Sequence, residues 1–258
     1  MTDHTERLTS VEHWGARGDV IARGRPVDQQ CWFRGQAHLL APLMKRRAYR
    51  SVVEVGAYPG QILDWLCRTC DLKGTGIEFV PAQANALRHT FPSIEILDGD
   101  FLSDGCVPPG RTWDVVCSFG LVEHWTDLSI PIRRKMSMVA PGGCCVVGIP
   151  LHAGVYGAIL RTVDPALHAC HGRYSLAALR STVEAVGGAE WRVDVCTAVE
   201  GVGFWNCGLV EWVGRQPAAA RWLATKAIGA WHRTITRLPA PAMLRPNGLL
   251  IATRVGGA

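Results

Sequence analysis

The stretch Ser51-Val-Val-Glu-Val-Gly-Ala-Tyr-Pro-Gly60 carries three β-branched residues, Val52, Val53 and Val55, and then breaks at Gly56, Pro59 and Gly60. β-Branched side chains suit a pleated, buried surface, and glycine and proline end such a strand. Ile62, Leu63, Leu66, Cys67 and Cys70 follow at helical spacing with one buried stripe. The segment therefore reads as a strand, a tight turn and the start of a helix. Glu54 stands near the end of the strand, and two glycines let a ligand approach the backbone. A ligand with a cationic amine and a carboxylate suits this arrangement. The acid takes the amine, and the N–H groups of the helix N-terminus take the carboxylate.

Working outward, the alternation repeats. Residues 74–78, Gly-Thr-Gly-Ile-Glu, read as a second strand ending in an acid, and 81–89 as a helix. Residues 94–97 make a third strand, followed by Asp98, Gly99, Asp100 and Phe101. Residues 113–119 make a fourth, and 128–139 a helix with Pro131 in its first turn. Pro141, Gly142 and Gly143 turn the chain into a fifth strand at 144–149. A helix at 175–186 and strands at 191–197 and 249–255 complete the pattern. Such alternation predicts an α/β fold built on a doubly wound, mostly parallel seven-stranded sheet, its last strand antiparallel. Ligands of open parallel sheets bind beyond the carboxyl ends of the strands. Those ends carry Glu54, Glu78, Asp100, the loop 119–125 and His152.

The flanks are less regular. Residues 1–27 read as an arm containing Trp14 and Pro26, with room for one short helix, and Asp28 as the N-cap of a helix reaching Met44 through Cys31, Trp32, Leu39, Leu40 and Leu43. Residues 1–50 thus form an N-terminal arm and helical cap on a domain spanning 51–258. Trp14, Trp32, Phe33 and His38 either line a pocket or pack. The connection 200–248 is far longer than an ordinary loop. Its helix at 218–237 sets Trp222, Leu223, Ile228, Trp231 and Ile235 among Arg221, Lys226, Arg233 and Arg237. A lid-like insertion over the crevice is the expectation, and peripheral membrane or partner contact through this basic amphipathic face the alternative.

With 258 residues, 48% of them hydrophobic, the chain can bury one large α/β core and a cap. The polar N-terminus carries no signal-peptide pattern, and no stretch approaches the roughly 20 apolar residues of a membrane span. A cytoplasmic location is expected, with the ten cysteines as reduced thiols. Cys67 and Cys70 match the buried face of their helix. His168, Cys170 and His171 lack a fourth ligand at zinc-site spacing, and no metal is expected. The net charge of +5 is dispersed apart from Lys45, Arg46, Arg47 and Arg50 at a helix end, which gives no nucleic-acid surface.

Glu54-Val-Gly56-Ala-Tyr-Pro-Gly60, Glu78, Gly99-Asp100-Phe101, Phe119-Gly-Leu-Val-Glu123-His124-Trp125 and Ala140-Pro-Gly-Gly143 follow one another in order. Together they resemble the S-adenosylmethionine-dependent methyltransferases of the Rossmann-like, class I superfamily, in its small-molecule subgroup, over residues 51–150. The resemblance implies that Glu54 and the backbone of Gly56 and Gly60 hold the methionine part of S-adenosylmethionine. It implies that Glu78, with Phe79 beside it, accepts both ribose hydroxyls, and that Asp100 takes the adenine amino group with Phe101 along the ring. Phe119 and Gly120 then border the sulfonium. The family often has a small residue where Tyr58 stands, so a bulky side chain there narrows the entrance. A dinucleotide reading fails because the turn lacks G-x-G-x-x-G and no Tyr-x-x-x-Lys pair is present.

Methyl transfer from a sulfonium is an in-line displacement in which the protein aligns the nucleophile and removes a hydroxyl proton. His124, preceded by Glu123, and His152 stand at strand ends where an imidazole base is useful. His124 can equally brace its loop, and His168 and His171 are reserve candidates. The expected activity is methylation of a small-molecule acceptor, a hydroxyl of a sugar or specialised metabolite ahead of nitrogen or carbon. The alternative is a non-catalytic protein of the same fold.

Overall fold

A computed structural model describes residues 7–15, 27–30, 32–205, 207–234 and 240–255. Pro26, Cys31, Ile235 and Arg237 lie outside the described residues.

Strands β1 (Ser51–Val55), β2 (Lys73–Glu78), β3 (Glu95–Asp98), β4 (Trp113–Phe119), β5 (Val139–Pro150), β6 (Trp191–Val199) and β7 (Asn247–Arg254) form one sheet in the order β3-β2-β1-β4-β5-β7-β6. The first five pair in parallel, and β7 runs antiparallel to both β5 and β6. The strand order reverses between β1 and β4, which opens a crevice at their carboxyl ends. This is the expected Rossmann-like architecture.

Two apolar layers flank the sheet. One gathers Leu40, Met44, Leu63 and Leu66 from α2 (Arg34–Arg47) and α3 (Gln61–Cys70) against Val52 and Val146. The other gathers Ile132, Met136, Leu179 and Val183 from α5 (Ser129–Ser137) and α8 (Leu176–Gly187) against Val53 and Val147. α4 (Pro81–Thr90) adds Leu87 to the first layer. The Gly-Thr-Gly of β2 is a packing requirement. A Cβ on Gly76 would lie 2.9 Å from that of Ala57, and one on Gly74 would overlap Cys67 Sγ. Cys67 is thus a half-buried packing residue, and the described cysteines are all free thiols.

Several sequence expectations shift. The N-terminal cap helix starts at Arg34 rather than Asp28, because 27–29 form a separate 3-10 turn and Phe33 is the N-cap. Pro141, Gly142 and Gly143 lie inside β5 as a bulge, where the register moves from Trp113↔Val139 to Val115↔Cys144. The helices α1 (Val11–Gly15), α6 (Val155–Val163), α7 (Pro165–Ala169) and α9 (Leu209–Gly214) are short, and the last three go beyond the elements expected from the sequence, although Asp164-Pro165 is a helix-start signal for α7. α10 (Ala218–Thr234) buries none of its residues, and Trp222 and Leu223 are exposed. It leans on the segment before α9, where Trp231 Nε1 donates to Val202 O at 2.9 Å. No described helix is long and apolar enough to cross a membrane.

Candidate active site

The β1–α3 turn builds the first wall. Gly56 has φ 72°, and a Cβ there would approach Leu121 Cδ1 to 3.1 Å. Gly60, at φ 86°, is the N-cap of α3 and leaves that helix without a side-chain cap. Of the backbone donors that the first turn of α3 presents, Leu63 N already meets the Glu54 carboxyl. Glu54 is buried, and its Oε2 has no hydrogen-bond partner among the described residues. Burial pushes its carboxyl up to about 8.

The end of β2 supplies Glu78. Its Oε1 accepts from Val80 N at 2.9 Å and its Oε2 from Tyr58 N at 3.1 Å. Phe79 N adds a third backbone contact, and a carboxylate with about four acceptor positions still keeps one. These bonds aim the carboxylate across the turn, although burial still raises its pKa overall. Tyr58 borders the cavity, its backbone orienting Glu78 and its side chain packing against the first apolar layer.

Asp100 lies beyond β3, and there the structure shows what the sequence did not. Arg7, on the N-terminal arm, donates to both Asp100 carboxylate oxygens at 2.8 and 2.9 Å. Its guanidinium also sits over the rings of Phe79 and Trp125, at 4.5 and 4.7 Å from their centroids. The arm is pinned alongside Trp125 by a short antiparallel bridge and by Leu8 N donating to His124 O at 2.7 Å. Phe101, buried in the second apolar layer, packs edge-on against Trp125.

The β4 and β5 ends supply the opposite wall. Glu123 and His124 occupy a 3-10 turn, Val122–His124, and both are buried. His124 Nδ1 lies 2.7 Å from Cys170 O; a carbonyl only accepts, so Nδ1 carries the proton. Burial, reinforced by the positive form of His171, depresses His124 to about 3. Glu123 Oε2 has no partner among the described residues, and burial pushes this carboxyl up to about 8. His152, also buried, packs edge-on to His171 with ring centroids 5.0 Å apart, and His171 lies 4.5 Å from His124. Residues 168, 170 and 171 do not make the cluster that their spacing suggests; among the described residues, His171 joins Glu123 and His124 instead.

Beneath the two acids lies Lys135 of α5, fully buried, its Nζ donating to Ser118 Oγ at 2.6 Å and Val146 O at 2.8 Å. Burial lowers its pKa, and its charge acts favourably on both Glu54 and Glu123. The sequence hides this lysine among the polar positions of a helix. Only its placement opposite β4 and β5 marks it.

These walls enclose a cavity of about 840 Å³. That is near the upper end of the roughly 300–1,000 Å³ of small-molecule sites, and leaves room for two ligands. Glu54, Gly56, Gly60, Glu78, Phe79, Asp100, Phe101, Phe119, Gly120, Glu123, His124 and His152 all border it. Trp14 and Trp32 do too, whereas Phe33 is core and His38 is exposed. From the 200–248 insertion Trp205, Gly208, Val210 and Arg215 reach the cavity, while α10 stands outside it.

A Rossmann-like sheet with an acid-and-glycine turn, a second strand-end acid and a cavity at the switch point defines a class I S-adenosylmethionine-dependent methyltransferase. A methyltransferase-domain profile matches residues 32–187, and the chain belongs to that family. Comparison with curated proteins gives no significant match. Among solved structures, the plantazolicin methyltransferase BpumL, in complex with a pentazolic desmethylPZN analogue and SAH, superposes with a TM-score of 0.62 at 9% identity, over 95% of this chain and 91% of that one. A SAM-dependent methyltransferase from Archaeoglobus fulgidus gives 0.53 at 16%, over 86% and 96%. The 4+2 cyclase SpnF gives 0.56 at 17%, over 86% and 82%. At these identities the likeness is one of fold.

The residues present fit the cofactor. The unpartnered, buried Glu54 oxygen suits an ammonium, the uncapped N-terminus of α3 a carboxylate, and the glycine cradle at 56 a close-lying chain.

Proposed function

We propose that the protein transfers a methyl group from S-adenosylmethionine to a hydroxyl of a small-molecule acceptor, a sugar or specialised metabolite. The observation that carries this reading is a single cavity lined both by Glu54 with the glycine turn and by Glu123 with the imidazoles of His124, His152 and His171. We read the first set as its cofactor end and the second as its acceptor end. When bound, the cofactor supplies the methyl group and a thioether leaving group.

Glu54 and the α3 N-terminus would hold the cofactor's amino-acid portion, Glu78 the ribose and, once Arg7 gives way, Asp100 the adenine. An ammonium beside Glu54 would favour its charged form, so the carboxyl raised by burial would give up its proton on binding. The walls of the cavity would align the acceptor oxygen with the methyl group that the cofactor supplies. His152 takes the hydroxyl proton. His124 is suited to holding position, because an imidazole depressed to about 3 keeps its one Nδ1 proton and takes up no second one near neutral pH. Trp14 and Trp32 wall the acceptor end and exclude water. The BpumL complex, which pairs product cofactor with a desmethyl compound, supports a small-molecule acceptor on this fold.

The test is release of S-adenosylhomocysteine against matched acceptors bearing hydroxyl, amine or activated carbon. Turnover confined to hydroxyl compounds, lost in His152→Ala, supports the reading. Turnover on amines alone, or unchanged in that variant, overturns it.

A further inference from the structure

We propose that Glu123, His124 and His171 form a binding site for one divalent first-row transition cation of zinc-like ligand preference, facing the acceptor end of the cavity. One ligand atom from each residue lies within 4.8 Å of the others. Ligands at roughly 2.0–2.2 Å from a tetrahedral zinc stand roughly 3.5 Å apart, so closure needs movements of about an ångström.

The geometry around the three residues is that of prepared ligands. His124 Nδ1 donates to Cys170 O, and His171 Nδ1 donates to Leu167 O, each at 2.7 Å. Both rings are thereby held in the tautomer whose lone pair is on Nε2. A metal-binding histidine commonly has its other nitrogen tied to a carbonyl in this way. Glu123 adds an independent observation: it is 1% exposed, and its Oε2 has no partner among the described residues. Lys135 acts on it through charge, its Nζ donating to Ser118 Oγ and Val146 O, and a buried carboxyl oxygen with no hydrogen-bond partner is costly.

The fold takes some trouble to bring the three together. Gly172 N donates to Glu123 O at 2.6 Å, which locks the strip carrying His171 against the turn carrying Glu123 and His124. Asp164 caps α7 by accepting from Leu167 N at 3.0 Å, and so fixes the carbonyl that orients His171. Two imidazole nitrogens and one carboxylate oxygen select a borderline transition ion over magnesium or calcium, which prefer oxygen throughout. Three protein ligands leave a position for an exogenous oxygen, the arrangement of a Lewis-acid site.

The role assigned to the ion rests on the hydroxyl-acceptor reading above. Bound to the ion, the acceptor oxygen loses its proton more readily, and His152, packed on His171, receives it. The oxygen then takes the methyl group as the sulfur–carbon bond breaks toward sulfur.

The experiment uses the full chain, stripped with chelator and titrated with Zn²⁺ and with Co²⁺. Expected are one equivalent of Zn²⁺, a visible Co²⁺ spectrum of low coordination, and a loss in affinity of about 100-fold or more in His171→Ala and Glu123→Gln, with His168→Ala unchanged. X-ray absorption of the zinc-loaded wild type should show two imidazoles and no sulfur, which decides the matter even if a variant fails to fold. No stoichiometric binding, a sulfur-containing shell or unaltered affinity in both ligand variants overturns the site. Zinc bound as described, with no methylation of any hydroxyl, leaves the site standing and overturns only the acceptor reading.

Discussion

Arg7 donates to both carboxylate oxygens of Asp100, at 2.8 and 2.9 Å, and lies over the ring of Phe79. A planar, hydrogen-bonding group from the N-terminal arm therefore engages the acid that the resemblance assigns to adenine and the ring that it places beside the ribose acid Glu78. Charge-assisted bonds of this kind are each worth about 1.5–3 kcal/mol. If adenine must displace them, Arg7→Ala should tighten S-adenosylmethionine binding by about 5-fold or more by calorimetry. Weaker binding would mean that Arg7 contacts the cofactor instead.

Glu54 gives a pH signature. Its carboxyl sits at about 8, well above the ordinary value, so the apo protein holds a proton there that the unfolded chain would release. The stability from this group is complete below the unfolded carboxylate pKa and is lost as pH rises through about 8; Glu200, raised to the same range by burial, adds to it. The apo melting temperature should fall from mildly acid pH to beyond that value, and less steeply in Glu54→Gln.

Cofactor binding should reverse that protonation. Near neutral pH, calorimetry in buffers of different ionisation enthalpy should register release of about one proton per bound S-adenosylmethionine. Glu54→Gln should bind about 10-fold or more weakly and abolish the release. Equal heats in all buffers for the wild type would remove Glu54 from contact with the ammonium.

Lys135→Met tests the buried cation. The substitution keeps the length of the stem but leaves Ser118 Oγ and Val146 O without their donor and both acids without a nearby positive charge. A loss of about 3 kcal/mol in unfolding free energy is expected, read from denaturant melts. No loss would show that the lysine is neutral and replaceable.

Local chemistry made much of this legible. The valine run, the glycine turn and the strand-end acids each depend on neighbours within a few residues, so Glu54, Gly56, Gly60 and Glu78 could be placed from spacing. Arg7 could not, because a lone arginine in a polar arm acquires meaning only when it meets Asp100 from 93 positions away. His171 likewise reaches Glu123 only through the packing of α7 and the strip behind it. The bulge at residues 140–143 escaped because proline and glycine signal a break in either a turn or an irregular strand.

The most direct measurement is titration of S-adenosylmethionine into the full chain and into Glu78→Ala. Expected are one binding equivalent for the wild type and an affinity about 10-fold or more lower in the variant, since the resemblance assigns the ribose to this carboxylate. Absence of binding by the wild type, or equal affinity in the two proteins, would contradict the placement of the cofactor between Glu54 and Glu78.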